Sequence, residues 1–130
     1  MRVAYLDSSA LVKLVLREPE TAALRRFLRK RPDVAVSGLA RTEVPPAAKP
    51  HGPGAVRRAR ALLRRVNLVR VDDAVLDAAA LLEPAPLRSL DAIHLASAMT
   101  LADDLEVVIT YDGRTAKAGE ALGLPVVAPR

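Results

Sequence analysis

Short apolar runs rich in Val and Ile alternate along this chain with longer stretches whose apolar residues recur at helical spacing. Residues 3–6, 34–37, 68–71, 107–110 and 125–128 are predicted as buried strands. Residues 9–17, 21–31, 55–66, 74–82, 90–101 and 115–122 are predicted as helices. Strands that alternate with helices in this way imply a parallel sheet covered on both faces. No repeat and no internal boundary interrupts the pattern, so residues 1–130 are read as one α/β domain with about five strands.

Two of the helical stretches carry more information. In 55–66, Val56, Ala59, Leu62, Leu63 and Val66 fall on one side of the wheel, and Arg57, Arg58, Arg60, Arg64 and Arg65 on the other. The basic side reads as a solvated face or as a surface for phosphate or an acidic protein. In 9–16 the apolar residues Ala10, Leu11, Val12, Leu14, Val15 and Leu16 wrap nearly the whole helix. Such a helix is either fully buried or completed by a second subunit, which favours a homodimer. Residues 45–54, with Pro45, Pro46, Pro50 and Pro53 beside Gly52 and Gly54, are expected to form an irregular, mobile loop.

Composition narrows the function. The net charge is +5, which suits a polyanionic partner. Cysteine is absent, which excludes disulfides, thiolate zinc sites and cysteine nucleophiles. Tyr5, Phe27 and Tyr111 are the whole aromatic complement, too few for base-stacking platforms, so a nucleic-acid partner would be held by charge and metal. The chain starts without the apolar core of a signal peptide, and its apolar runs are too short to span a bilayer; a cytoplasmic protein is expected.

Most of the acids have ordinary places. Asp72 and Asp73 precede a predicted helix as capping residues, and Asp33, Glu18, Glu20, Asp77, Glu106 and Glu120 sit in turns or on exposed faces. Four do not. Asp7 follows the first predicted strand and Asp112 the fourth, at the carboxyl edge where parallel α/β sheets bind ligands. Asp91 lies in the first turn of helix 90–101 behind Ser89 as N-cap, and Glu43 follows the second strand. Singly, Asp7 and Asp112 read equally well as turn residues and Asp91 as a capping acid. Jointly, four converging carboxylates repel by roughly 4 kcal/mol per pair at ~4 Å and an effective dielectric near 20. Either some stay protonated or a cation sits among them, and oxygen-only ligands select Mg²⁺ or Mn²⁺. A basic surface with a carboxylate-held divalent ion suits phosphodiester hydrolysis.

The segments Tyr5-Leu6-Asp7-Ser8-Ser9-Ala10-Leu11, Arg41-Thr42-Glu43-Val44, Ser89-Leu90-Asp91-Ala92-Ile93-His94-Leu95-Ala96 and Thr110-Tyr111-Asp112-Gly113-Arg114 resemble the PIN-domain ribonucleases. Among these, the resemblance is to the VapC toxins of VapBC toxin–antitoxin pairs. It implies a three-layer α/β/α sandwich and a Mg²⁺- or Mn²⁺-dependent endoribonuclease. The family's metal-holding acids fall on Asp7, Glu43, Asp91 and Asp112, and its small hydroxyl residues on Ser9 and Thr110. It further implies RNA as substrate, a homodimer, a VapB-type antitoxin that blocks the site, and products with 5′-phosphate and 3′-hydroxyl ends.

The chain departs from the family where Pro45 and Pro46 follow Glu43: either Glu43 closes a short helical turn or Pro45 opens a new helix at its first position, which leaves the placement of that side chain open to displacement. Glu43 is therefore expected to contribute less than Asp7 or Asp91. His94, one turn after Asp91, reads as a structural histidine, His51 as a surface residue, and Arg114 as a phosphate contact or an exposed helix start. The competing function is a catalytically weak PIN-fold module that binds nucleic acid or protein. A phosphatase using Asp7 as nucleophile is disfavoured because Ser9 stands where a second Asp is needed. Phosphate-cradling glycine motifs are absent.

Overall fold

A computed structural model describes residues 1–83 and 87–130. In chain order the elements are β1 (Val3–Leu6), α1 (Ser8–Val15), α2 (Thr21–Leu28), β2 (Val34–Ser37), α3 (Ala40–Ala48), α4 (Pro53–Arg65), β3 (Asn67–Val69), α5 (Asp73–Ala80), α6 (Ser89–Met99), β4 (Leu105–Ile109), α7 (Gly113–Ala121) and β5 (Val126–Val127). All strand pairs are parallel, in the order β3-β2-β1-β4-β5. The chain builds one half of the sheet outward from β1, then returns to build the other. The strand order therefore reverses between β1 and β4, the position at which open α/β sheets bind ligands.

β1 is buried on both sides because its four residues are all apolar and side chains alternate between faces. Ala4 and Leu6 enter a core with Leu11, Val15, Leu24, Val44 and Leu63, under α1 to α4. Val3 and Tyr5 enter the opposite layer with Ala98 and Val108. A smaller apolar cluster of Val75, Ala79, Ala92 and Ala96 joins α5 to α6. The result is the expected three-layer sandwich. Helix α1 is half-buried: Leu11 and Val15 are in the core, while Val12, Leu14 and the adjoining Leu16 are partly buried against it.

The proline-rich segment is a correction. Residues 45–48 continue α3, Lys49–His51 form a 3₁₀ turn, and Pro53 opens α4 at a position where its missing N–H costs nothing. Only Gly52, at φ 95°, breaks the helical path. Ala40, Val44 and Ala48 recur every four residues and are essentially fully buried. This stripe holds α3 together, although Pro45 and Pro46 leave the carbonyls of Arg41 and Thr42 without their helical donors. Both of those residues are exposed to water. Elsewhere the boundaries move by a few residues: β3 starts one residue earlier than predicted, and β4 ends before Thr110.

Candidate active site

Asp7 is only 5% exposed and lies at the β1–α1 junction in extended geometry (φ −81°, ψ 179°), as the N-cap of α1. Its Oδ1 accepts from the Ala10 amide at 3.1 Å and the Ser9 hydroxyl at 2.6 Å; its Oδ2 accepts from Thr110 Oγ1 at 2.5 Å. Thr110 Oγ1 in turn accepts from the Asp112 amide, and Ser9 Oγ from the Tyr111 amide. Ser9 and Thr110 thus fasten Asp7 across the switch point to the end of β4. Burial pushes the Asp7 carboxyl above the usual range, against the hydroxyl bonds, the His94 charge and the Ala10 amide that favour the ionised form.

Asp112 caps α7 through Oδ1, which accepts from the amides of Arg114 and Thr115 at 2.9 and 3.1 Å. Its Oδ2 faces the Arg88 guanidinium at 3.8 Å. The same guanidinium lies 3.4 Å from Asp91 Oδ2, so Arg88 bridges two of the four predicted acids. The N-cap of α6 is Arg88, making Ser89 the first helical residue instead of the cap. Arg114 is an exposed helix-start residue.

Glu43 is not displaced. It sits in the first turn of α3, where Oε1 accepts from Ser8 Oγ at 2.5 Å and from His94 Nε2 at 2.7 Å. On the other side of the ring, Nδ1 is hydrogen-bonded with the Tyr5 hydroxyl, 2.8 Å away. Burial raises the Tyr5 phenol well above its ordinary value, which keeps it protonated. Burial also pushes Glu43 up, but the bonds from His94 and Ser8 outweigh it and hold the carboxyl below its ordinary value.

Glu43, Asp91 and Asp112 line one cavity of about 320 Å³, with Arg88, Ser89 and Leu90. Asp7 lies beneath, joined to Asp112 through Thr110. All four acids therefore gather at one edge, though not as a closed cage: among the described residues, no three acidic or histidine side chains stand close enough to hold one ion as placed. The reason is local. Asp7 and Asp112 turn to helix amides and hydroxyls, and Glu43 to His94 and Ser8. The donors nonetheless fit a hard divalent ion, because they are all carboxylate or hydroxyl oxygen and a guanidinium already stands as the cation between Asp91 and Asp112. Sequence reasoning missed Ser8, Tyr5 and Arg88. The available signals were Ser8 directly after Asp7 and Arg88 three residues before Asp91, one helical turn away.

An acidic edge at the switch point of a five-stranded parallel sheet defines the class, and the comparisons agree. The PIN domain family matches residues 4–121, and this chain belongs to it. Ribonuclease VapC46 of Mycobacterium tuberculosis is 50% identical over 129 residues, covering 99% of each chain. A toxin–antitoxin complex from Klebsiella pneumoniae contains a chain with TM-score 0.73 and 28% identity, with 98% of each chain covered. VapC20 of Mycobacterium tuberculosis, described as a sarcin–ricin loop cleaving toxin, shares the fold at TM-score 0.75 and 18% identity, covering 97% of this chain and 99% of its own.

Proposed function

We propose that this protein is an endoribonuclease of the VapC toxin class that hydrolyses RNA phosphodiester bonds with a divalent ion, Mg²⁺ or Mn²⁺, and is silenced by a cognate antitoxin. The observation that carries this reading is the cavity lined by Glu43, Asp91 and Asp112 above buried Asp7, in a chain half identical to a named ribonuclease. Asp7, Glu43, Asp91 and Asp112 would hold the ion. When bound, it would acidify a water and offset charge on the phosphate. Ser9 and Thr110 orient Asp7, while His94 and Ser8 orient Glu43. Arg88 and exposed Arg114 offer positive charge to the substrate phosphates at the cavity mouth.

Among the described residues, no helix is long and apolar enough to cross a membrane. RNA in the cytoplasm is the substrate this reading expects. Exposed Leu76, Leu81 and Leu90, close to the groove between α5 and α6, offer apolar surface for the antitoxin or for the second subunit of a homodimer. The test is incubation with total RNA in Mg²⁺ or in EDTA, beside Asp7→Asn. Cleavage should need both the ion and Asp7; cleavage that persists in EDTA or in the variant sinks the proposal.

The separation of the four carboxylates favours a second reading, a PIN-fold binding module with weak or no catalysis. Calorimetric titration with Mn²⁺ separates the two, because the enzyme requires heat that disappears with Asp7→Asn.

A further inference from the structure

The sheet has an open edge at β3, and that edge is strongly basic. Two adjoining hollows run along it, of about 620 and 410 Å³, sharing Arg41 and Leu68. The first is also lined by Arg60 and Arg64 of α4, the second by Arg70 just after β3. No acidic residue lines either hollow. All four arginines are exposed, and among the described residues none of them makes an ion pair. By contrast, Lys13 and Arg31 are paired with carboxylates. Arginines gathered in a trough without counter-charges repel one another, an arrangement that a polyanion would relieve.

Placement ties the trough to the acidic cavity. Gly38 and Leu39 follow β2, and Arg70 and Val71 follow β3; all four line the second hollow, at the carboxyl edge of the sheet. Asp7 follows β1 at that same edge, two strands away, or roughly 10 Å at the usual inter-strand spacing. Arg41 lies in the first turn of the helix that carries Glu43. A strand lying over the acidic cavity can continue across the end of β2 into the trough. The chemistry of the trough suits phosphates more than bases. It holds no aromatic ring on which a base could stack, its cations are guanidiniums matched to phosphate oxygens, and its apolar lining is aliphatic, with Leu68 40% exposed.

Building on the ribonuclease reading, we propose that this trough binds the backbone of single-stranded RNA flanking the scissile phosphate, through Arg41, Arg60, Arg64 and Arg70. It would therefore set affinity for longer substrates with little regard to sequence.

The test measures binding of a short fluorescein-labelled single-stranded RNA to Asp7→Asn protein, with and without R60A/R64A/R70A, between ~50 and ~300 mM salt. Arg41 is left intact because it shares a helix with Glu43. Each phosphate contact to a single strand adds about 0.7 to the salt slope, equivalent to roughly fivefold in affinity at ~0.1 M salt. The triple variant should therefore lose about 100-fold in affinity and flatten the slope by about 2. R60K/R64K/R70K should keep most of the slope. An unchanged slope in the alanine variant overturns the proposal, and would leave the trough to an acidic peptide or to solvent. Weaker binding without a slope change would mean a disturbed fold and overturns it equally. Cleavage of the same RNA by wild-type protein checks the ribonuclease reading separately, so the two can fail independently.

Discussion

His94 on α6 donates from Nε2 to Oε1 of Glu43 on α3, across 2.7 Å, from a ring only 4% exposed. On the proposed reading Glu43 holds the divalent ion, and groups that orient such a ligand typically cost 10–100-fold when removed. His94→Ala should lower RNA cleavage by about that factor and weaken Mn²⁺ binding in parallel, as read by calorimetry. His94→Gln, which can still present an N–H, should recover part of both. Full activity in His94→Ala would show that Glu43 needs no such restraint.

The same bonds give the fold an acid limb. The Glu43 carboxyl is depressed in the folded state, since the donors from His94 and Ser8 overcome its burial. Its contribution to stability is complete above the unfolded value near ~4.3 and is lost as pH falls below that through the folded value. Urea melts of wild type and Glu43→Gln should differ at pH ~6 and converge towards pH ~3. A gap that does not change with pH would contradict this assignment.

Asp7 has the opposite sign. Burial raises its carboxyl, so the folded state prefers the protonated form, and that contribution fades as pH rises through the folded value. In metal-free buffer at neutral pH, Asp7→Asn should be more stable than wild type. A gain of about 1 kcal/mol would shift Tm by ~3–5 °C. The amide can still cap α1. RNA cleavage should be abolished in the same variant. A lower Tm would mean that the bonds from Ser9, Thr110 and Ala10 outweigh desolvation.

Arg88 stands between Asp91 and Asp112 as the cation facing both, with its side chain 62% exposed to solvent. A divalent ion taken up by those carboxylates has to displace it. Arg88→Ala should tighten Mn²⁺ binding by about 3–10-fold in calorimetry, equivalent to roughly 1 kcal/mol of lost competition. It should also weaken RNA binding. Unchanged or weaker Mn²⁺ affinity would show that Arg88 does not compete.

Pro45 and Pro46 lie inside α3, where each removes a backbone bond. P45A/P46A should raise the urea midpoint, corresponding to about 1–3 kcal/mol of unfolding free energy in total after the looser unfolded chain takes back part of the gain. A destabilised double variant would imply that α3 depends on the proline geometry.

The same prolines show where sequence reasoning failed. Local propensity favoured a loop, yet burial of Ala40, Val44 and Ala48 in the main core outweighed it, because tertiary packing supplies most of a helix's stability. β1 and β2 were legible to the residue because short runs of buried apolar side chains admit little else. Asp7, Asp91 and Asp112 were legible from their places at element ends. Arg88 and Tyr5 were not, since a guanidinium over two acids and a phenol behind an imidazole depend on which elements become neighbours. No local pattern records that.

Asp7 and Asp112 each spend one oxygen capping a helix, whereas Glu43 and Asp91 take no bond from a main-chain amide among the described residues. A relative that gave up hydrolysis would therefore keep a reason to retain Asp or Asn at the first two positions, for folding alone. Loss at positions 43 and 91 is then the more telling mark of a retired enzyme, and an acid surviving at 7 or 112 is weak testimony that the chemistry persists.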